Sequence, residues 1–291
     1  MYSRPFRSAL LTFALIFGLV ISAAQAASLS EAIELYAAKK YPEARLALEK
    51  ITAAEPKNAA AAYYYGMTIR RRGDTTALAD AVPWLAKAAE LEPTNPTYLG
   101  DFGGSSLQLA GKTRSVSAAT RGREAMIRAV ELNPDYLEAR EGLMQYYSQA
   151  PRIAGGSSSK AYAQAEEIRK RDPARGLAAL ISLKSGEEKF PEATELCEAA
   201  LKEKPDHYLA LYQIGRIAST TGVNLDRGLE TLRRCLELTP PPNQPGHAGT
   251  HFRIGVILEK KGDKAAARTA LEAALKLDPN LKTAADALAK L

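Results

Sequence analysis

A glycine, lysine and threonine triplet at residues 111–113 is the first feature of this 291-residue chain that could carry chemistry. Phosphate-binding loops contain such a triplet, but they follow a strand and carry another glycine five residues earlier. Here Ser106 occupies that position, and the residues before it have the pattern of a helix. No segment combines a nucleophile, a base and a residue that orients the base. The sequence therefore predicts a protein that is not an enzyme and uses no cofactor.

Two histidines, His247 and His251, lie four residues apart and would share one face of a helix, as zinc ligands do. The zinc-protease pattern also needs a glutamate directly after the first histidine, where this chain has Ala248. We therefore expect exposed histidines at the start of a helix and no metal site.

A glycine and serine segment at residues 155–160 ends in a lysine and could form a backbone nest that donates amides to an anion. Basic residues of this segment and of the segment around residue 112 would then form a charged edge. The alternative is a flexible loop whose charges are solvated. The predicted loop edge comprises Lys112, Arg114, Arg152, Gly155, Gly156 and Lys160.

The chain has two cysteines, Cys197 and Cys235, on the apolar faces of second helices in neighbouring repeats of the pattern described next, at its middle and its last apolar position. A disulfide between these repeats is one interpretation. The other, which we favour, is two small buried apolar residues, because equivalent helices of successive repeats usually lie too far apart for a disulfide.

Seven prolines reveal the organisation of the chain, because the same pattern of one small and two apolar residues precedes each of them. The small residue lies twelve positions before the proline, and the apolar residues follow it by four and seven positions, so all three share one helical face. Proline ends each helix, and units this short must stack to bury their apolar faces. The prolines are Pro56, Pro93, Pro134, Pro173, Pro205, Pro240 and Pro279.

A pair of glycines seven residues apart, such as Gly255 and Gly262, precedes this pattern in four of the units. With Leu258, Ala267 and Leu271 at the family's spacing, the unit at about residues 248–282 resembles a tetratricopeptide repeat. The resemblance implies an all-α, right-handed α-solenoid of about seven helix-turn-helix repeats over residues 27–279, with a capping helix over residues 280–291. Insertions predict long loops in the third and fourth repeats, at residues 111–117 and 150–160.

The resemblance also implies that a partner binds in a concave groove lined by the first helix of each repeat. Tyrosine and arginine are typical of binding surfaces, although the tyrosines could instead pack helix against helix. A clamp for a C-terminal carboxylate is not expected, because its asparagine is replaced at Met67, Arg216 and Val256. The predicted groove residues are Tyr63, Met67, Arg70, Arg71, Tyr146, Tyr147, Tyr212, Arg216 and Phe252.

The first 26 residues have two arginines, an apolar run and an Ala-Gln-Ala cleavage pattern that ends at Ala26. These features predict a secretory signal peptide and a periplasmic or secreted protein whose mature chain has no membrane span. The net charge of +6 is mild, and an exported chain is a poor candidate for nucleic-acid binding. We expect a scaffold for a protein or peptide partner in envelope protein assembly. The alternative is an accessory that binds an envelope polysaccharide or anion through the loop edge.

Overall fold

The structure is a computed structural model, and it describes residues 29–291. The predicted signal peptide lies outside those residues. Within them the chain forms α-helices and one short 3-10 helix, without a strand. The predicted all-α fold is confirmed.

The helices follow one another as hairpins, so each repeat has a first and a second helix. The first helices are α1 (29–37), α3 (Ala59–Arg70), α5 (Pro96–Thr113), α7 (Leu137–Gln149), α9 (Pro173–Gly186), α11 (Tyr208–Thr221) and α13 (His247–Lys260). The second helices are α2 (Tyr41–Ala54), α4 (Thr75–Leu91), α6 (Val116–Leu132), α8 (Ser158–Arg171), α10 (Phe190–Glu203), α12 (Leu225–Glu237) and α14 (Lys264–Leu277). Helix α15 (Lys282–Leu288) follows the last hairpin, and its Ala284 packs in one cluster with Leu271 of α14.

The helices form two compact units, the first ending at Gln164 and the second covering Ala165–Leu291. In the first unit, the small residue of the repeat pattern lets helices approach closely. A Cβ atom on Gly122 of α6 would lie 2.8 Å from the carbonyl oxygen of Gly103 on α5. In the second unit, Leu232 of α12 packs so closely on Gly215 of α11 that an added Cβ would lie 2.2 Å from its Cγ.

Both cysteines belong to the core of the second unit. Cys197 and Cys235 are free thiols with no exposed surface. Burial raises the pKa of each thiol to about 12. The interpretation of these residues as small buried side chains is therefore confirmed, and the disulfide is not formed.

Each proline of the repeat pattern lies just beyond the end of a second helix. Helix α2, for example, ends at Ala54, two residues before Pro56. The next helix begins with a side-chain cap, in which the Ala61 amide donates to Oδ1 of Asn58 at 3.0 Å. Pro173 differs from the other six prolines because it is the first residue of the next helix, α9, whose N-cap is Asp172.

The predicted long loop at residues 111–117 is wrong. Helix α5 continues to Thr113, and α6 begins at Val116. Between them Arg114 adopts the left-handed conformation at φ 58°, and the Ser115 side chain caps α6. The inserted residues therefore lengthen the two helices. In the fourth repeat residues 150–157 do form a loop, but residues 158–160, the end of the predicted loop, begin α8.

Candidate partner-binding site

An anionic side chain is held between the first helices of the second and third repeats. The Tyr63 hydroxyl on α3 donates to Oδ2 of Asp101 on α5 at 2.6 Å. Nη1 of Arg70 lies 3.4 Å from the other carboxylate oxygen. Burial and the charge of Asp101 raise the pKa of Tyr63, so the phenol stays a proton donor.

A row of tyrosine rings continues from this ion pair towards α1. Tyr63 stacks on Tyr98 with ring centroids 4.5 Å apart, and its edge meets Tyr64 at 5.1 Å. Tyr64 in turn contacts Tyr36 at 5.3 Å. The guanidinium of Arg71 lies over the Tyr36 ring at 5.8 Å and donates to its hydroxyl at 3.1 Å. We call the rings of Tyr36, Tyr63, Tyr64 and Tyr98, with Arg70, Arg71 and Asp101, the tyrosine row.

Sequence reasoning found Tyr63, Arg70 and Arg71 but missed Tyr36 and Tyr98. Tyr36 lies on α1, whose repeat lacks the glycine pair that is present in four of the other units. Tyr98 lies one helical turn before the position that the family pattern assigns to the groove. Met67, a predicted groove residue, is half-buried and packs with this row, and its sulfur lies 3.8 Å from Nη1 of Arg70.

Two of the predicted groove tyrosines are buried instead. Tyr147 has 7% and Tyr212 has 6% of its surface exposed. Both pack helix against helix, which is the alternative considered from the sequence. Tyr146 is half-buried, and its hydroxyl donates to the carbonyl oxygen of Ala154, so it holds the 150–157 loop. Phe252 is half-buried against the cluster around Leu271.

The 150–157 loop does not offer the predicted anion nest. The amides of Gly155, Gly156 and Ser157 donate to the carbonyl oxygens of Arg152, Pro151 and Tyr147 at 3.0, 3.0 and 2.8 Å. These amides are therefore already used. The basic side chains on the predicted loop edge, Lys112, Arg114, Arg152 and Lys160, are all exposed, and Nζ of Lys160 lies 5.5 Å from the centroid of the Tyr147 ring.

In the second unit, Arg216 of α11 and Arg253 of α13 are both half-buried. Arg216 donates to Oγ of Ser185 at 3.0 Å and to Oε1 of Gln213 at 2.5 Å. Arg253 donates to Oγ of Ser219 at 3.4 Å. Burial lowers the pKa of Arg216, and the charge of Arg253 lowers it further. Sequence reasoning found Arg216 and missed Arg253, because the family pattern assigns Phe252 to the groove instead.

The two histidines at the start of α13 are half-buried, so the expectation that they are exposed is wrong. The His247 Nε2 atom lies 2.9 Å from the carbonyl oxygen of Leu238. Burial, and then the charge of His247, lowers the pKa of His251. Residues 29–291 contain no group of three histidine, cysteine or acidic side chains that could hold a metal ion.

Two parts of the chain match family models described as tetratricopeptide repeat, at residues 29–96 and 248–281. These two parts of the chain are similar to tetratricopeptide repeats. Tetratricopeptide repeats are typically scaffolds for protein–protein interaction rather than catalysts. No curated protein sequence matches the chain significantly.

Several solved structures share the fold at low sequence identity. A tetratricopeptide repeat protein from Parabacteroides merdae has 15% identity and a TM-score of 0.63, with 91% of this chain and 97% of that chain covered. Yeast Tom70 has 16% identity and a TM-score of 0.64, with 87% of this chain and 51% of that chain covered. The C-terminal part of a repeat protein from Cytophaga hutchinsonii has 15% identity and a TM-score of 0.58, with 89% and 99% covered. At these identities the likeness concerns the fold alone.

None of the helices in residues 29–291 has the length and hydrophobicity that a membrane-spanning segment requires.

Proposed function

We propose that this protein is an exported, non-enzymatic tetratricopeptide repeat scaffold in envelope protein assembly. It binds a peptide segment of a partner protein on the faces of its first helices. The observation that carries this proposal is the tyrosine row on α1, α3 and α5. Four rings from three successive first helices contact one another in sequence there.

The tyrosine row has the properties of a binding surface. Tyrosine and arginine dominate the energetics of protein interfaces, because each combines a large apolar area with directed hydrogen bonds. The Tyr63 hydroxyl and Arg70 are fixed by Asp101, and Arg71 is fixed by the Tyr36 hydroxyl. These contacts hold the side chains before a partner arrives, which reduces the entropy that binding costs. Tyr63 and Tyr64 remain partly exposed and can contact a peptide.

Photo-crosslinking in the native envelope tests the binding face. A photo-reactive phenylalanine analogue replaces Tyr64 in one variant and the exposed Glu90 of the second helix α4 in the control. Mass spectrometry of the adducts should identify one partner that is enriched with the Tyr64 probe and depleted with the Glu90 probe. Equal enrichment by both probes would show that the first helices are not the binding face.

Export is proposed from residues 1–26 and is tested by cell fractionation. A tagged full-length chain should be recovered in the periplasm or the medium, cut near Ala26. A chain that lacks residues 2–26 should stay in the cytoplasm. Recovery of the full-length chain in the cytoplasm would contradict the proposed location, while the binding proposal could still be tested with purified protein.

A further inference from the structure

We propose that Arg216 and Arg253 form a binding site for acidic side chains in an internal segment of the partner. This inference rests on the proposed function, because it states which peptide chemistry the second unit recognises. The site comprises the two arginines with Ser185, Gln213 and Ser219, and we call it the arginine site.

The two guanidinium groups carry like charges that repel each other. The charge of Arg253 disfavours the charged form of Arg216. Neither arginine forms an ion pair with any carboxylate of residues 29–291. On the second helices, by contrast, Arg227 pairs with Glu198 at 2.9 Å and Arg234 with Asp206 at 2.7 Å. An acidic ligand would neutralise the charges that residues 29–291 leave unpaired.

The partners of the two arginines orient them without neutralising them. Two hydroxyl groups and one amide oxygen accept their hydrogen bonds. A guanidinium has five N–H donors, and within residues 29–291 Arg253 donates one long hydrogen bond, to Ser219. Its Nε atom is buried without an acceptor among the described residues. Donors thus remain for a carboxylate, which arginine binds through paired, charge-assisted hydrogen bonds.

The repeat pattern explains why the second unit lacks the acid that the first unit has. Asp101 lies three residues before the central glycine of its repeat, and it forms an ion pair with Arg70. The same position holds Tyr212 in the sixth repeat and Phe252 in the seventh. The acidic group that completes the ion pair in the first unit is therefore absent from these repeats, and a partner can supply it.

The placement of the site favours an internal segment over a chain end. Ser185, Arg216 and Arg253 lie on α9, α11 and α13, which are successive first helices of the second unit. They form a strip across three helices, which a peptide in extended conformation can follow. We therefore assign the site to aspartate or glutamate side chains within a chain.

Fluorescence anisotropy with purified residues 27–291 tests this assignment. The probe is a labelled ten-residue peptide of alternating glutamate and alanine with an amidated C-terminus. A matched peptide has glutamine for glutamate, and a third has glutamine with a free C-terminal carboxylate. The glutamate peptide should bind at least about tenfold more tightly than the other two, because charge-assisted hydrogen bonds are the strong ones. Equal binding of the glutamate and glutamine peptides would overturn the proposal, and preference for the free C-terminus would overturn the choice of an internal segment.

Substitutions then locate the binding to these residues. Arg216→Gln and Arg253→Gln should each lower the affinity for the glutamate peptide by about tenfold or more. This loss corresponds to the usual contribution of a hydrogen bond to a charged group. The control Arg233→Gln removes one exposed positive charge from α12 of the same unit and should change affinity less than twofold. Arg253→Lys keeps the charge without the planar donor pair, and it should weaken binding even if a glutamine variant fails to fold. An equal loss in Arg233→Gln would indicate general charge attraction and reject the site.

The outcomes separate this inference from the proposed function. If the glutamate peptide does not bind but the Tyr64 probe captures a partner, the arginine site is wrong and the scaffold function stands. If the peptide binds through the arginines but neither the Tyr64 nor the Glu90 probe captures a partner, the scaffold proposal fails and the arginine site stands.

Discussion

The Tyr63 hydroxyl on α3 donates a 2.6 Å hydrogen bond to Oδ2 of Asp101 on α5. This bond joins the first helices of two successive repeats at the centre of the tyrosine row. Because its acceptor is charged and the ring is partly buried, we expect it to contribute to stability as well as to the shape of the binding face. The bond can be removed without removing the ring.

Tyr63→Phe should therefore lower the free energy of unfolding by about 1.5–3 kcal/mol, the usual contribution of a hydrogen bond to a charged group. The matched control is Tyr64→Phe, because the Tyr64 hydroxyl makes no hydrogen bond within residues 29–291. Urea denaturation followed by circular dichroism measures both variants. A loss of stability that is equal in the two variants would show that the bond to Asp101 contributes nothing.

A pair of glycine substitutions tests the corrected boundaries of the third and fourth repeats. Gly111→Ala should stabilise the protein by about 0.5–1 kcal/mol, because alanine favours a helix interior. A Cβ at Gly111 meets no atom of the described chain within 4 Å. Gly156→Ala should destabilise it, because the added Cβ would lie 1.7 Å from the Ala150 carbonyl oxygen. Thermal melting of both variants provides the comparison, and a neutral Gly156→Ala would contradict the loop geometry.

The fold could be predicted because the pattern repeats, so errors in one unit did not change the assignment of the others. The length of a loop could not be predicted in the same way. The spacing between the repeated positions of the pattern gives the number of inserted residues, but it does not show whether they extend a helix or form a loop. The family pattern predicts that α5 ends at Gly111. The helix continues to Thr113, because Arg114 adopts the left-handed turn that glycine usually provides.

Prediction of the site was limited by the rotation of each helix about its axis. The family pattern assigns Tyr212 to the groove, yet this side chain is buried between helices. The same pattern passes over Arg253, one residue after Phe252, although Arg253 donates to Ser219 and its charge lowers the pKa of Arg216. Side-chain packing decides such rotations, and it depends on residues far apart in the sequence.

Burial changes what a substitution at Tyr212 can report. Tyr212→Ala should lower stability by roughly 3–5 kcal/mol, since it leaves a cavity the size of an aromatic side chain. Arg71→Ala, at an exposed position, should change stability by less than about 1 kcal/mol. Arg71→Ala should nevertheless reduce capture by the Tyr64 probe, because it removes the group that lies over Tyr36. If Tyr212→Ala melts like the unaltered protein, Tyr212 is not part of the core.

The two buried thiols make stability depend on pH in the alkaline range. Burial raises the pKa of Cys197 and Cys235 from 9.0 to about 12, so the folded chain keeps protons that the unfolded chain loses above pH 9. Their contribution is fully present below pH 9, and it is lost as the pH rises towards 12. Urea midpoints should therefore fall between pH 9 and 11, and the slope should be smaller in a Cys197→Ala, Cys235→Ala variant. Both thiols should also react with a thiol reagent at pH 8 only after the chain is unfolded in urea. Rapid labelling of the folded protein would contradict their burial, and an unchanged slope in the double variant would assign the pH dependence to other groups.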